Sequence, residues 1–172
     1  MDREICYAFI DSQNLNLGTR SLGWELDFKR FRRYLRDKYK VKKAFLFLGY
    51  MKENEKLYAY LKSLEYILVF KPAVKYKKNG KVRIKGNIDI ELAIKVMLEI
   101  ENFDKAVIVS GDGDFFSLIK HLRDKNKLLR IIVPNNKYSS LLRRFSKYIT
   151  NLSGFQNILE KQGEAFSRDK TL

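Results

Sequence analysis

Apolar positions along the chain follow two rhythms that take turns. Continuous runs of β-branched, aromatic and aliphatic residues at Ile5 to Ile10, Ala44 to Leu48, Tyr66 to Phe70, Ala106 to Val109 and Leu129 to Val133 read as strands buried on both faces. Between them the apolar residues recur every three or four positions. Phe28, Phe31 and Leu35 predict a helix capped by Asp27 and running to about Tyr39, with Lys29, Arg30, Arg32, Arg33 and Arg36 largely outward. Leu57, Leu61 and Leu64 predict a second helix over Glu53 to Leu64. Ile88, Leu92, Val96 and Ile100 predict a third; Ile90, Ile94, Met97 and Leu98 make it apolar nearly all round, as expected of a central, buried helix. A fourth starts after Gly113 and ends near Lys125, and Ser139 or Ser140 can cap one more through Lys147. Strands alternating with helices predict an α/β fold with a mainly parallel sheet of about five strands. One domain over 1–155 accounts for the pattern, and 156–172 is expected to be a partly helical or frayed tail, although Phe155, Ile158 and Leu159 could dock.

One segment breaks the alternation. Lys71 to Lys85 holds seven basic residues and no acidic one, with Pro72 near its start and a turn signal at Asn79-Gly80. It reads as a basic flap or hairpin, in which Lys75, Lys77, Lys78, Lys81 and Arg83 could follow a phosphate backbone and Tyr76 could stack on a base. An ordinary solvated surface loop would have the same composition.

Composition then narrows the function. At 172 residues and 45% hydrophobic, the chain can build a core without staples. It has no apolar run of membrane-spanning length and no basic segment leading into a signal-peptide core, so a cytoplasmic protein is expected. The lone Cys6 lies in the first apolar run and reads as a small buried hydrophobe. Charge is the outlying quantity: 35 Lys plus Arg against 20 Asp plus Glu gives +15, beyond the magnitude of about 2 to 8 that solubility needs in a small domain. A field of this sign attracts polyanions, nucleic acid above all.

Against that basic background a few carboxylates stand at telling places. Asp112 and Asp114 lie in Ser110-Gly-Asp-Gly-Asp-Phe115, a turn between a strand and a helix, and Asp11 follows the first strand in Asp11-Ser-Gln-Asn14. The carboxyl ends of parallel strands are where open α/β sheets bind ligands. Helix capping would explain Asp114 but leave Asp112 without a role. Asp89, with Glu91, falls in the first turn of the third helix, where the helix dipole alone would favour an acid. If the first and fourth strands are neighbours where strand order reverses, these aspartates converge in one crevice. Gathered carboxylates raise one another's pKa, a divalent cation removes the conflict, and all-oxygen ligation suits Mg²⁺ or Mn²⁺.

Phe9-Ile-Asp-Ser-Gln-Asn14, Lys85-Gly-Asn-Ile-Asp89 and Ser110-Gly-Asp-Gly-Asp-Phe115, in that order, resemble the signature of the NYN domain family, a bacterial branch of the PIN-like ribonucleases. The resemblance covers roughly residues 4 to 155. It implies a three-layer α/β/α, Rossmann-like sandwich with the first and fourth strands adjacent, and metal-dependent endonuclease chemistry, more often on RNA than on DNA. By position it makes Asp11 and Asp112 principal metal ligands, Asp114 a ligand or water-positioning group, Asp89 a second-metal or outer ligand, Asn14 a residue that shapes the first loop, and Lys85 a phosphate contact. Gln13 departs from the small or acidic residue expected there. Nucleic acid is the implied partner, with room for a homodimer.

Two other readings compete with a nuclease. A catalytically silent nucleic-acid-binding module would keep the fold without needing four aspartates. A phosphatase using Asp11 as nucleophile would want a second Asp two residues on, where Gln13 stands. His121 is mid-helix and Ser12 lacks a base within its motif, so neither supports general-base or covalent catalysis.

Overall fold

In the computed structural model, residues 4–71, 74–85 and 88–163 are described, with only the backbone for 74–78 and 81–85. Six strands form one sheet in which all pairings are parallel: β1 (Cys6–Asp11), β2 (Val41–Gly49), β3 (Tyr66–Lys71), β6 (Lys105–Val109), β7 (Leu128–Val133) and β8 (Ile149–Asn151). Their order is β3-β2-β1-β6-β7-β8. The chain builds outward from β1 to β3, then returns to β6 on the other side of β1 and builds outward again. The reversal therefore lies between β1 and β6, as the sequence reading required. Ile10 pairs with Leu46 on one side and Val109 on the other, so both acidic loops leave the sheet at the same edge.

Both faces of the sheet are covered, which is why its strands are apolar throughout. On one face, Cys6, Ala8 and Ile10 pack with Leu15 of α1 (Ser12–Arg20), Phe31 and Leu35 of α2 (Phe28–Tyr39) and Leu61 of α3 (Glu55–Ser63). On the other, Tyr7 and Phe9 pack with Leu92 and Val96 of α4 (Ile88–Glu99) and with Leu118, Ile119 and Leu122 of α5 (Phe116–Asp124). Phe9 stacks on Phe45 at 5.2 Å between ring centroids and meets Phe103 edge-on at 5.6 Å. The α/β/α sandwich is thus observed. Burial and the Glu4 carboxylate push the Cys6 thiol up to about 12, so it stays an unreactive core group.

The differences from the sequence reading have local causes. The sheet gains a sixth strand, because Ile149–Asn151 is too short and too polar to give an apolar run. Helix α1 was missed, since Ser-Gln-Asn-Leu-Asn-Leu-Gly-Thr-Arg has few apolar positions and low helix propensity. Helix α4 is central but not buried all round: it covers β1 and β2 with one stripe, while Ile90, Ile94, Met97 and Leu98 are exposed. In α3 the inward residues are Tyr58 and Leu61, and Leu57 faces out. Arg32 is also buried; its guanidinium donates to the carbonyls of Val41 and Lys42 at 3.3 and 3.1 Å and ties α2 to β2. Ser139 caps a 3₁₀ segment, Ser140–Tyr148, rather than an α-helix.

β4 (Val74–Lys78) and β5 (Lys81–Lys85) form the expected hairpin as a separate two-stranded sheet. Asn79 and Gly80, at φ 54° and 73°, make the two-residue turn with left-handed backbone at both positions. After the last strand, α6 (Gln156–Leu159) buries Leu159, leaves Ile158 exposed and runs on to an antiparallel bridge between Leu26 and Glu160. Among the described residues no helix is long and apolar enough to cross a membrane.

Helix α1 is pinned by a close approach. A Cβ on Gly18 would lie 2.3 Å from Cγ of the Pro134 ring, which is rigid and cannot turn aside. Gly18→Ala should therefore destabilise the protein by about 1–2 kcal/mol despite its better helix propensity, lowering Tm in thermal unfolding by about 2–8 °C.

Candidate metal centre

The acidic edge is built by backbone turns that aim carboxylates at one another. Asp11 ends β1 and caps α1: its Oδ1 accepts from the Asn14 amide at 3.1 Å and its Oδ2 from the Ser110 hydroxyl at 3.3 Å. Asn14 reaches back across the switch point, its Oδ1 accepting from the Gly111 amide at 2.9 Å. The same Ser110 Oγ accepts from the Asp112 amide at 3.1 Å. Ser110 thus bridges the β1 loop to the β6 loop, a role the sequence showed only as turn capping. It is buried, as is Asp11, so this bridge is shielded from water.

Beyond β6 the chain turns through Gly113–Phe115, a 3₁₀ turn whose cap is Asp112; its Oδ1 accepts from the Asp114 amide at 2.9 Å. Capping therefore accounts for Asp112, not Asp114, which is the reverse of the expectation. Gly113 is needed because a Cβ would come within 2.3 Å of the Ser139 hydroxyl and 2.9 Å of its Cβ. Asp89 enters from the first turn of α4, on the face that packs against β1.

Asp89, Asp112 and Asp114 each offer a carboxylate oxygen, and these atoms lie within 4.8 Å of one another. Asp11 joins Asp89 and Asp112 in a cleft of about 260 Å³ lined by Asp11, Gln13, Asn14, Leu17, Ile88, Asp89 and Asp112. All four sequence-predicted aspartates, with Asn14, thus meet in one region. Lys75, Tyr76, Lys77, Lys78, Lys81, Arg83 and Lys85 lie on the hairpin strands, but their side chains fall outside the described residues. Tyr76 is opposite Arg83 in the register. A residue not singled out also belongs here: Lys71, at the end of β3, is buried, and its charge acts on Asp89.

The electrostatics record the crowding. Partial burial, then the charges of Asp112, Asp11 and Asp114, push the Asp89 carboxyl up to about 6, with Lys71 opposing. Asp11 is raised chiefly by burial, against hydrogen bonds from Asn14 and Ser110 that favour its charged form. Three oxygen donors that repel one another, beside a fourth, form a set that a hard divalent cation fits, and no thiolate or imidazole is among them.

The sign of the pH effect follows. Because the folded-state pKa of Asp89 lies above its ordinary 3.8, its contribution favours folding at low pH and is lost as pH rises through about 6. In chelator, Asp89→Asn should therefore raise Tm at pH 8 and do so less at pH 4. Added Mn²⁺ should raise the Tm of the native protein at pH 8 and raise that of the variant less; differential scanning fluorimetry reads both.

Comparison with known proteins agrees with this architecture. The NYN domain profile matches residues 7–163. The low amplitude and bright protein LabA of Synechococcus elongatus is 26% identical over 161 residues, spanning 89% of this chain and 86% of LabA. The crystal structure of a protein of unknown function from Vibrio parahaemolyticus superposes with a TM-score of 0.76 at 19% identity, covering 92% of this chain and 99% of that one, a likeness of fold. With a match that begins in β1, ends beyond α6 and takes in all four clustered aspartates, the chain belongs to the NYN domain family, a part of the PIN-like nuclease superfamily.

Proposed function

We propose that this protein is a metal-dependent endonuclease that hydrolyses phosphodiester bonds in RNA. The observation that carries the reading is the convergence of Asp89, Asp112 and Asp114 within 4.8 Å, beside Asp11, at the carboxyl edge of the β1–β6 switch point. Family membership and the +15 charge support it: a basic exterior around an acidic crevice would hold a polyanion and leave the crevice to a cation.

Asp89, Asp112 and Asp114 would hold Mg²⁺ or Mn²⁺, with Asp11 as a further ligand through the cleft. When bound, such an ion supplies an activated water at neutral pH and charge stabilisation for the leaving oxygen. The chain's own residues do the positioning. Ser110 fixes the Asp11 carboxylate and the Asp112 backbone together, so the two acidic loops cannot drift apart. Asn14 locks the β1 loop to Gly111 and lines the cleft, where its amide nitrogen would be available to orient a phosphate oxygen. The basic hairpin, through Lys75, Lys77, Lys78, Lys81, Arg83 and Lys85, would track the strand, with Tyr76 stacking on a base.

The test is cleavage of end-labelled single-stranded RNA and DNA in Mn²⁺ or Mg²⁺. The native protein should cut RNA, chelator should abolish cutting, and Asp112→Asn should lower the rate by at least about a hundredfold, because a ligand should cost no less than an outer-shell partner. Binding without cutting would move the nucleic-acid-binding module ahead. Ser110→Ala separates support from ligation: it should lower activity by about 10- to 100-fold, with part of the loss recovered at higher Mn²⁺.

A further inference from the structure

Lys71 is 8% exposed, and its Nζ has no hydrogen-bond partner among the described residues. An ammonium kept for solubility would lie in water, and one kept for packing would have its donors capped. This one is desolvated, and none of the described residues receives its three N–H groups, an unfavourable state unless an anion is supplied from elsewhere.

The register says where that anion would be. Lys71 pairs with Gly49 of β2 and Val69 with Phe47, while Phe47 pairs in turn with Asp11 of β1. Alternate residues of a strand share a face, so Lys71 lies on the side of Val69, Phe47 and Asp11, the side that α4 covers. The first turn of α4 carries Asp89, whose carboxyl feels the Lys71 charge. Gly49 stands between Lys71 and β1 without a side chain, and a Cβ there would meet nothing within 4 Å. The open space on that face therefore begins at Gly49, one strand from the enclosed Lys71 ammonium and toward the edge where the carboxylates meet.

We infer that Lys71 is a substrate-binding residue of the acidic cleft, its ammonium donating to a non-bridging phosphate oxygen of the nucleic acid strand. This rests on the nucleic-acid reading of the site but not on turnover. Lys71 would supply a fixed positive charge that the described residues lining the cleft do not, from the side of β1 opposite the β6 loop.

The experiment is fluorescence anisotropy of a labelled single-stranded RNA against the full chain in chelator, where nothing is cut, from low to moderate KCl. Lys71→Met should weaken binding several-fold and flatten the slope of log affinity against log salt by about 0.7, the signature of one lost phosphate contact on a single strand. Lys71→Arg should keep the native slope. Tm should not fall in Lys71→Met, since removing an unpaired buried charge removes a desolvation cost. Lys71→Gln serves as the neutral variant should Lys71→Met fail to fold. An unchanged slope in the neutral variant overturns the inference, whether Lys71 then supports the fold, shown by a lower Tm, or only biases Asp89, shown by altered Mn²⁺ affinity. A native protein that cuts RNA while the neutral variant keeps its slope retains the nuclease and loses the Lys71 contact. A native protein that does not cut while the slope flattens does the reverse.

Discussion

Mutual repulsion among carboxylates is the constraint on which the acidic edge turns. Asp89, Asp112 and Asp114 are held close enough that Asp89 resists ionisation, and Asp11 adds its charge from within the protein. Nothing about folding alone favours this arrangement, so other contacts must impose it. The parallel pairing of β1 with β6 brings two loops to one edge, and the buried Ser110 hydroxyl and Asn14 amide stitch those loops together. Helix α4 is fixed independently by Leu92 and Val96 against Phe9 and Phe45, which carries Asp89 into place. The core thereby offsets the repulsion, and the site keeps its electrostatic strain until a counter-charge arrives.

Most of this could be read before any coordinates. The apolar runs gave five of the six central strands, because a strand buried on both faces must be apolar at every position, and Cys6–Asp11 and Lys105–Val109 are such strands. The acids were legible as a set since each stands at a strand end or helix start in a motif spaced by glycines and small polar residues. What sequence could not show was side-chain environment. The apolar surround of α4 promised burial, yet a helix resting on a sheet buries only one stripe, so Leu98 is left 72% exposed. Arg32 looked like one more outward cation on a basic helix until the carbonyls of Val41 and Lys42 came within its reach. Helix α1 was hidden by its composition, although its cap, Asp11, had been singled out for another reason.

Lys71 shows the same limit in a sharper form. In sequence it opens a run of seven basic residues and nothing sets it apart from the other six. Only the register separates it: it is the final residue of a sheet strand, opposite a glycine and on the α4 side of the sheet, whereas Lys75 and those after it belong to a separate hairpin. Two kinds of positive charge therefore serve the proposed function differently. Exposed cations such as Lys29, Arg33 and Arg36 act at long range and are screened by salt, which suits capture of a polyanion but not its alignment. A buried ammonium is screened far less and acts over a short distance, which suits placing one phosphate.

The opposed charges of exterior and cleft also couple the two ligands of the proposed reaction. A phosphodiester entering an empty cleft would meet carboxylates and be repelled, while the surface around it attracts the rest of the strand. A divalent cation in the cleft turns that local repulsion into attraction, and a phosphate oxygen beside the carboxylates in turn completes a more anionic site for the cation. By linkage each ligand must then raise the affinity of the other by the same factor. Asp89, with its raised pKa, sets the pH at which this begins: below about 6 a proton already occupies the position that the cation would neutralise, and the two compete. The basic surface alone would make a nucleic-acid-binding protein. It is the crowding of aspartates at the β1–β6 edge, maintained against its own repulsion, that argues for chemistry there.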